Sequence, residues 1–470
     1  MFKRFRKKSS PALEEHTSPQ PASSVQTRDQ KIYCRPHFLH KTWGEMPDIT
    51  DHQLRPILVP PKNKRLPWGT GYSEVINAGK SVFNEDQAVC TSIIVKKKAE
   101  NEEEWPHSSL SFRSQQDQEI KCYYWALFDG HGGSIAAIQA SKHLHHCIRE
   151  QLEEIYEIIG GPLNVPPPLH LDGKKGKQNE RYCVMTKNIC IDHLVTGALE
   201  TAFKCCDELI CKYQESTSQS GGCTALTILF LHGKLYVASA GDSRAIIVFK
   251  DREISLSNEF TAETERQKIQ YLAFLKPELL GGEFSRYEFP CRVKRSDIGK
   301  KILYRDYFMS GWGYKIAEED DLKYPVIHGE GKQTRVMGTI AVTRGLGDHQ
   351  LQVHETNLHI KPFLSCIPEV IVFDLTQHKF EPNDVLIMGT DGLWDILSNK
   401  EVADIVDSFL AENKHPHRYT MLAQYLVHKA KGTLCGNEWK TEDGSFASFD
   451  DISVFVIPLY NMAATTPPLI

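Results

Sequence analysis

Residues 123–133 of this chain are YYWALFDGHGG, six consecutive apolar residues that lead into an aspartate and a glycine-rich turn. Two further segments follow the same order, LIMGTDGLWD at 386–395 and YVASAGDSR at 236–244. In two others the acids precede the apolar run, NEDQAVCTSIIV at 84–95 and DDISVFVI at 450–457. Short runs rich in Val, Ile, Phe and Tyr are typical of β-strands. The sequence therefore predicts a β-rich fold with acidic residues at the ends of its strands.

Acidic residues at strand ends have two interpretations. Asp-Gly is a common tight-turn dipeptide, so any single site can be an ordinary turn. If the strand ends instead share one edge of a sheet, acidic groups meet there, and their mutual repulsion raises their pKa values unless a cation lies among them. Oxygen ligands select hard cations such as Mg²⁺ and Mn²⁺, and a pair of these ions is the usual device for attack on phosphorus. The pattern therefore favours a hard-metal hydrolase.

The composition limits the classes of protein to consider. Of the 470 residues 41% are hydrophobic, which is enough for a large core and excludes wholesale disorder. Lys and Arg number 55 against 60 for Asp and Glu, and the net charge of −5 argues against a protein whose whole surface binds nucleic acid, while one local basic patch stays open. The longest strongly apolar run, Ala225–Leu231, is far shorter than the roughly 20 residues of a membrane helix.

The order of strands and helices predicts an α+β fold rather than strict βαβ alternation. Strands are predicted at residues 72–76, 87–95, 123–128, 224–231, 235–240, 245–249, 370–374, 385–388 and 452–457. Helical periodicity is present at 134–159, 191–213, 261–275, 400–409 and 418–430.

Composition also divides the chain into parts. We expect a disordered arm at 1–31, a lead-in strap at 32–70, a folded domain at 71–460 and a short tail at 461–470. Residues 253–336 interrupt the strand pattern for too long to be a simple connection, so we interpret them as an inserted subdomain.

The arm is basic first and then rich in Ser and Pro. Its first eight residues, MFKRFRKK, carry five cations interleaved with Phe2 and Phe5. Three interpretations stay open: a solvated tail, a nuclear-import-like patch, and a weak anchor to anionic membrane at on the order of 1 kcal/mol per cation. No apolar h-region follows, which argues against a secretory signal. We expect a cytoplasmic protein, with nuclear or peripheral membrane association as alternatives.

Seven motifs in this order resemble those of the PPM (type 2C) metal-dependent Ser/Thr protein phosphatases. They are NEDQ at 84–87, DGHGG at 129–133, GCTA at 222–225, AGDSR at 240–244, MGTIAVTRGLGD at 337–348, TDGLWD at 390–395 and DDISV at 450–454. The inserted subdomain, with YLAFL at 271–275 and MSGWGY at 309–314, is similar to that of the H/J/M subgroup and most closely to member M.

The resemblance implies a central sandwich of two antiparallel β-sheets flanked by helices, with an inserted flap and a metal site at one end. It also implies two Mg²⁺ or Mn²⁺ ions and a weaker third. By position, Asp129 would bridge the two ions, the Gly130 carbonyl and Glu85 would bind one of them, and Asp391 and Asp450 would complete the other site.

Further roles follow from the same resemblance. Asp86 would hold a metal-bound water that attacks phosphoserine or phosphothreonine, and His131 would be the general acid that protonates the leaving alkoxide. Asp242 would bind the third ion together with Asp391 and Asp395. The implied partners are phosphorylated proteins and not nucleic acid.

Two positions depart from the family pattern. Simple members carry a phosphate-anchoring Arg four residues before the glutamate, where this chain has Ser81 beside Lys80. Lys binds phosphate as a point charge without the bidentate fork of Arg. The usual Asp-Asn before the last strand is Asp450-Asp451, which leaves two candidates for one ligand.

Three functions are compatible with these residues. The first is a metal-dependent protein Ser/Thr phosphatase. The second is a catalytically silent scaffold that binds phosphoproteins, which the missing Arg supports and the intact acids oppose. The third is a two-metal nuclease, for which the net charge of −5 gives no sign of a basic groove. A small two-metal centre contacts little of a substrate beyond its phosphate group. We therefore expect the insertion at 253–336 to determine which substrates are bound. The physiological substrate and the oligomeric state stay open.

Overall fold

The computed structural model describes residues 36–39, 55–77, 84–97, 119–160 and 189–464. Several predictions lie outside these ranges: the arm at 1–31, much of the strap, Lys80 and Ser81, and most of the tail. Within the described ranges, no helix has the length and apolar character needed to cross a membrane.

The strands are numbered in chain order. They are β1 (Gly71–Val75), β2 (Gln87–Val95), β3 (Ile120–Phe128), β4 (Gly130–His131), β5 (Gly222–Cys223), β6 (Ala225–Leu231), β7 (Lys234–Ala240), β8 (Arg244–Phe249), β9 (Arg252–Ser255), β10 (Phe284–Ser285), β11 (Lys301–Tyr304), β12 (Gly313–Ile316), β13 (Tyr324–Pro325), β14 (Ile327–His328), β15 (Arg335–Val336), β16 (Leu346–Gly347), β17 (Glu369–Asp374), β18 (Val385–Gly389), β19 (Thr433–Cys435), β20 (Glu438–Lys440) and β21 (Ile452–Pro458).

The helices are numbered in the same way. They are α1 (Ile135–Glu154), α2 (Tyr156–Ile159), α3 (Ile191–Thr217), α4 (Arg266–Leu275), α5 (Asp391–Trp394), α6 (Asn399–Glu412), α7 (Arg418–Lys431) and α8 (Tyr460–Ala464).

Two five-stranded antiparallel sheets form the centre of the fold. One has the order β1-β21-β18-β8-β9 and the other β17-β7-β6-β3-β2. Side chains from both sheets, such as Trp125 and Leu127 of β3 and Phe455 of β21, share one buried hydrophobic cluster between the sheets. The predicted α+β sandwich is therefore confirmed.

The outer faces of the two sheets are covered by helices. Tyr124, Ala126 and Phe128 of β3 point away from the sandwich core and pack in a cluster with α1 and α3. The outer face of the other sheet packs against α5, α6 and α7. Successive strand residues point to opposite faces. Because β3 is covered on both faces, its segment YYWALF is apolar at every position instead of alternating between apolar and polar residues.

The described part of the lead-in strap belongs to the same core. Phe38 and Leu66 are buried in the cluster between the sheets. Leu58 pairs with Glu74 of β1 as an isolated antiparallel bridge.

The segment 253–336 contributes Ile269 and Val326 to a separate small hydrophobic cluster, which also contains Met337 from the motif that follows the segment. The helix predicted at 261–275 begins only at Arg266. The reason is local. The Thr264 hydroxyl accepts a hydrogen bond from the backbone N–H of Thr261 and donates to the carbonyl of Glu259, and such bonds compete with helical ones. The helix predicted at 134–159 is divided at Ile155 into α1 and α2.

Candidate active site

Strand register brings the acidic motifs to one end of the sandwich. Phe128, the last residue of β3, pairs with Gln87, the first residue of β2. Asp129 therefore lies beside Asp86 and Glu85. In the other sheet, Gly389 at the end of β18 pairs with Val454 of β21 and with Arg244, the first residue of β8. That pairing places Asp391, Asp450 and Asp242 at the same end.

Three carboxylates form the centre of this site. Oxygen atoms of Asp129, Asp242 and Asp391 lie within 4.8 Å of one another. Burial, followed by the charge of Asp391, raises the pKa of Asp129 well above its ordinary value. Burial and then the charge of Asp242 do the same for the pKa of Asp391, and burial raises the pKa of Asp242 to about 6. Such a cluster is unfavourable in its ionised form unless a cation offsets the charge.

Glu85 and Asp86 are held against this cluster by the neighbouring loop and strand. The Gly133 backbone N–H donates to Glu85 Oε1 over 2.9 Å. A Cβ at Gly130 would lie 2.4 Å from the Glu85 carbonyl oxygen, so this contact requires glycine. Asp86 is buried, and its Oδ2 accepts from the Thr390 hydroxyl over 3.0 Å. Burial and then the charge of Asp451 raise the pKa of Asp86 well above its ordinary value.

The two adjacent aspartates before β21 occupy different environments. The buried Asp451 carboxylate accepts from the backbone N–H of Asn77 over 2.7 Å and of Glu85 over 2.9 Å. Burial raises the pKa of Asp451 to about 7. The Asp450 side chain is half-buried, and its charge raises the pKa values of both Asp129 and Asp391. Asp451 therefore ties backbone segments together and acts electrostatically on Asp86, whereas Asp450 acts electrostatically on Asp129 and Asp391.

His131 lies on the two-residue strand β4, opposite Gly222 of β5. Its Nε2 is 2.8 Å from Oδ2 of Asp348, and 28% of the imidazole is exposed while Asp348 is buried. Burial lowers the pKa of His131, but the hydrogen bond and charge of Asp348 outweigh it and leave the pKa raised. A Cβ at Gly222 would lie 2.0 Å from Asp348 Oδ2, so the pair fits only beside glycine.

Asp348 is the residue that sequence reasoning missed. It is the last residue of the motif at 337–348 and has no role among those that the family resemblance implies. Asp348 has a backbone φ of 58°, unusual for a residue with a side chain, and its N–H donates to the Gly221 carbonyl over 3.0 Å. The signal available in the sequence was a carboxylate at the end of a glycine-rich turn.

Asp395 is less closely associated with the cluster. It is exposed and pairs with Lys332 of the inserted segment over 2.5 Å. Its charge still raises the pKa of Asp242 and of Asp391. The pair brings the inserted segment to the edge of the site.

Comparison with known proteins agrees with the geometry. The family description "Protein phosphatase 2C" matches residues 170–271 and 326–438, and the unmatched stretch between them falls within the predicted insertion. Protein phosphatase 1H of Mus musculus is 49% identical over 466 residues, covering 91% of this chain and 91% of that protein.

Two further relatives are equally similar. Protein phosphatase 1M of Homo sapiens is 49% identical over 435 residues, covering 91% of this chain and 92% of that protein. Protein phosphatase 1J of Mus musculus is 49% identical over 440 residues, covering 91% and 86%. Membership of the H/J/M subgroup is thereby confirmed. Because the three relatives have the same identity to this chain, the closer resemblance to member M stays a prediction. The chain belongs to the protein phosphatase 2C family and is a protein serine/threonine phosphatase.

Proposed function

We propose that this phosphatase works through a binuclear centre of Mg²⁺ or Mn²⁺ at the end of the sandwich. The observation that carries the proposal is the group of carboxylates from Asp129, Asp242 and Asp391 within 4.8 Å of one another. Asp391 Oδ1 and Asp86 Oδ1 are buried, and neither has a hydrogen-bond partner among the described residues. Buried carboxylates without partners are costly. An all-oxygen donor set of this kind fits a hard divalent cation.

The ligands we assign are Asp129 as the shared carboxylate, Glu85 and the Gly130 carbonyl for one ion, and Asp391 and Asp450 for the other. Asp242 would serve a weaker third ion. Such ions, when bound, acidify coordinated water and offset the charge of the phosphoryl oxygens. Asp86 would accept a hydrogen bond from the attacking water through Oδ1, which has no partner among the described residues, whereas its Oδ2 accepts from the Thr390 hydroxyl.

We assign His131 as the general acid. Departure of a serine or threonine alkoxide needs a proton, because the alkoxide is a poor leaving group. The carboxylate of Asp348 at 2.8 Å favours the protonated imidazole, so His131 retains a proton to deliver. The partly exposed imidazole is accessible to a substrate at the mouth of the site.

We propose that the substrates are phosphorylated proteins and that the insertion at 253–336 selects among them. Lys332 reaches Asp395 at the site edge, and Arg344 of the motif at 337–348 pairs with Glu265 over 2.8 Å. The insertion contains a cleft of about 610 Å³, lined in part by Arg292, Arg305, Trp312 and Lys323. A surface beside the centre can bind protein segments that flank the phosphoresidue.

The test is phosphate release from a phosphothreonine peptide, with Mn²⁺, with Mg²⁺ and with excess EDTA. The proposal predicts hydrolysis that requires added cation and stops with chelator. Full activity in excess EDTA would refute it. Membership of a phosphatase family argues against the silent-scaffold alternative, which predicts no release under any of these conditions.

A further inference from the structure

Arg55 is a buried arginine that lies outside the seven motifs of the family pattern. It belongs to the lead-in strap, its exposed fraction is 0%, and its backbone φ is 43°. Arginine is rarely buried completely, and a desolvated charge is costly unless other groups compensate it. The partners of Arg55 should therefore show what it does in the fold.

The guanidinium donates to four backbone carbonyl groups. Nε bonds to Ile76 over 3.1 Å, just after β1, and Nη1 bonds to Ser448 over 3.0 Å and to Lys431, the last residue of α7, over 3.4 Å. Nη2 bonds to the carbonyl of Asp450 over 3.4 Å. The rigid, planar fork of arginine suits several acceptors in fixed directions. Arg55 thus joins the loop before β21 to two neighbouring elements.

The charge of Arg55 also faces the acidic end of the sandwich. Burial lowers its pKa to about 10, while the carboxylates of Asp451 and Asp450 act in the opposite direction. The group therefore keeps its positive charge at neutral pH. From the other side, the Asp451 carboxylate holds the same loop to Asn77 and Glu85. The Asp450 peptide is fixed between these two sets of bonds.

We propose that Arg55 is a positioning residue for the metal centre: by holding the carbonyls of Ser448 and Asp450, it directs the Asp450 carboxylate toward the cation. The inference rests on the proposed function, in which Asp450 is a ligand. According to this proposal, the lead-in strap helps to determine metal affinity, although it precedes the first motif. Groups that orient a ligand commonly affect metal affinity by about 10- to 100-fold.

The experiment measures Mn²⁺ affinity directly, by calorimetry or by the electron paramagnetic resonance of free Mn²⁺, on the full chain. Arg55→Met keeps much of the side-chain length and removes the charge and all donors. We expect its Mn²⁺ Kd to rise by about 10-fold or more. Arg55→Lys retains the charge without the fork and should raise the Kd by a smaller factor. If Arg55→Met does not fold, the Mn²⁺ Kd of Arg55→Lys tests the inference instead.

Arg266→Met is the matched control. Arg266 is also a buried arginine that donates to carbonyl groups, those of Asp306 and Met309, but within the inserted segment. Its replacement should lower the melting temperature and leave the Mn²⁺ Kd unchanged. A merely structural role for Arg55 predicts the same result for the Arg55 variants. Wild-type Mn²⁺ affinity in folded Arg55→Met, or in Arg55→Lys where Arg55→Met does not fold, therefore overturns the inference.

Asp450→Asn separates this inference from the proposal on which it rests. If Asp450→Asn weakens Mn²⁺ binding and the Arg55 variants do not, only the role of Arg55 is wrong. If Asp450→Asn binds Mn²⁺ as the wild type does, the ligand assignment itself fails.

Discussion

Replacing Asp348 by asparagine tests the proton delivery assigned to His131. The two side chains are nearly equal in shape, so Asp348→Asn removes the charge beside the imidazole without opening a cavity. In the native protein Asp348 Oδ2 lies 2.8 Å from His131 Nε2, and the carboxylate is only 4% exposed. Screening by solvent is therefore weak, and the loss of charge should be felt in full.

The size of the effect follows from the strength of such a bond. A hydrogen bond between charged partners contributes about 1.5–3 kcal/mol. At 1.36 kcal/mol per tenfold change in rate, this corresponds to a loss of about 10- to 160-fold when proton delivery limits the reaction. Hydrolysis of a phosphothreonine peptide should show this loss in kcat, since its alkoxide needs a proton to leave. Hydrolysis of p-nitrophenyl phosphate should change little, since its leaving group departs as a stable anion.

The assay compares kcat on the two substrates for each variant at saturating Mn²⁺. His131→Ala should show the same preference, and the double variant should lose little more than His131→Ala alone, because both act in one step. Asp321→Asn is a control, since it removes another buried carboxylate, bonded to Lys315 over 2.6 Å in the insertion. Equal losses on both substrates in Asp348→Asn would refute the assignment of His131 as the acid.

Three further predictions concern stability, specificity and the arm. In the cation-free protein, the melting temperature should fall as the pH rises from about 4 to 7. The reason is that burial raises the pKa of Asp242 to about 6 and of Asp451 to about 7, above the ordinary value of 3.8, so the folded protein becomes less stable as these groups ionise. Bound Mn²⁺ should reduce this loss of stability. A melting temperature that does not change with pH would contradict the prediction. Replacing the β11–β12 hairpin by a short glycine linker is feasible because the Gly299 N–H bonds to the Ala317 carbonyl over 2.9 Å. It should lower kcat/KM on folded phosphoproteins far more than on p-nitrophenyl phosphate, and equal losses, or none, would count against a role in selection. Removing residues 1–10 should leave peptide hydrolysis unchanged and weaken sedimentation with anionic vesicles at low salt; an intact protein that ignores such vesicles would make the arm a plain solvated tail.

The sheets were predictable from sequence because their signal is local. Runs such as YYWALF at 123–128 contain only residues that suit a strand buried on both faces, and the structure places β3 there. The meeting of Asp129, Asp242 and Asp391 was also predictable, because each adjoins the end of a strand. The first residues of helices were less predictable. Sequence periodicity indicates a helix from residue 261, but the Thr264 hydroxyl forms hydrogen bonds that compete with the helical ones.

Contacts between distant parts of the chain could not be predicted from local patterns. Asp348 and His131 are separated by 217 positions, and only the pairing of β16 and β4 with β5 brings them together. Arg55 and Asp450 are 395 positions apart. The distinction between Asp450 and Asp451 likewise depends on the backbone N–H groups of Asn77 and Glu85, which the sequence does not place.

The central claim is that the buried carboxylates bind divalent cations. A calorimetric titration of cation-free protein with Mn²⁺, run on the wild type and on Asp391→Asn, tests it without reference to catalysis. We expect two tight sites per chain in the wild type, and loss or strong weakening of at least one in Asp391→Asn, with the folded structure retained. Absence of Mn²⁺ binding in the wild type, or an identical isotherm for the two proteins, would contradict the metal centre proposed for this phosphatase.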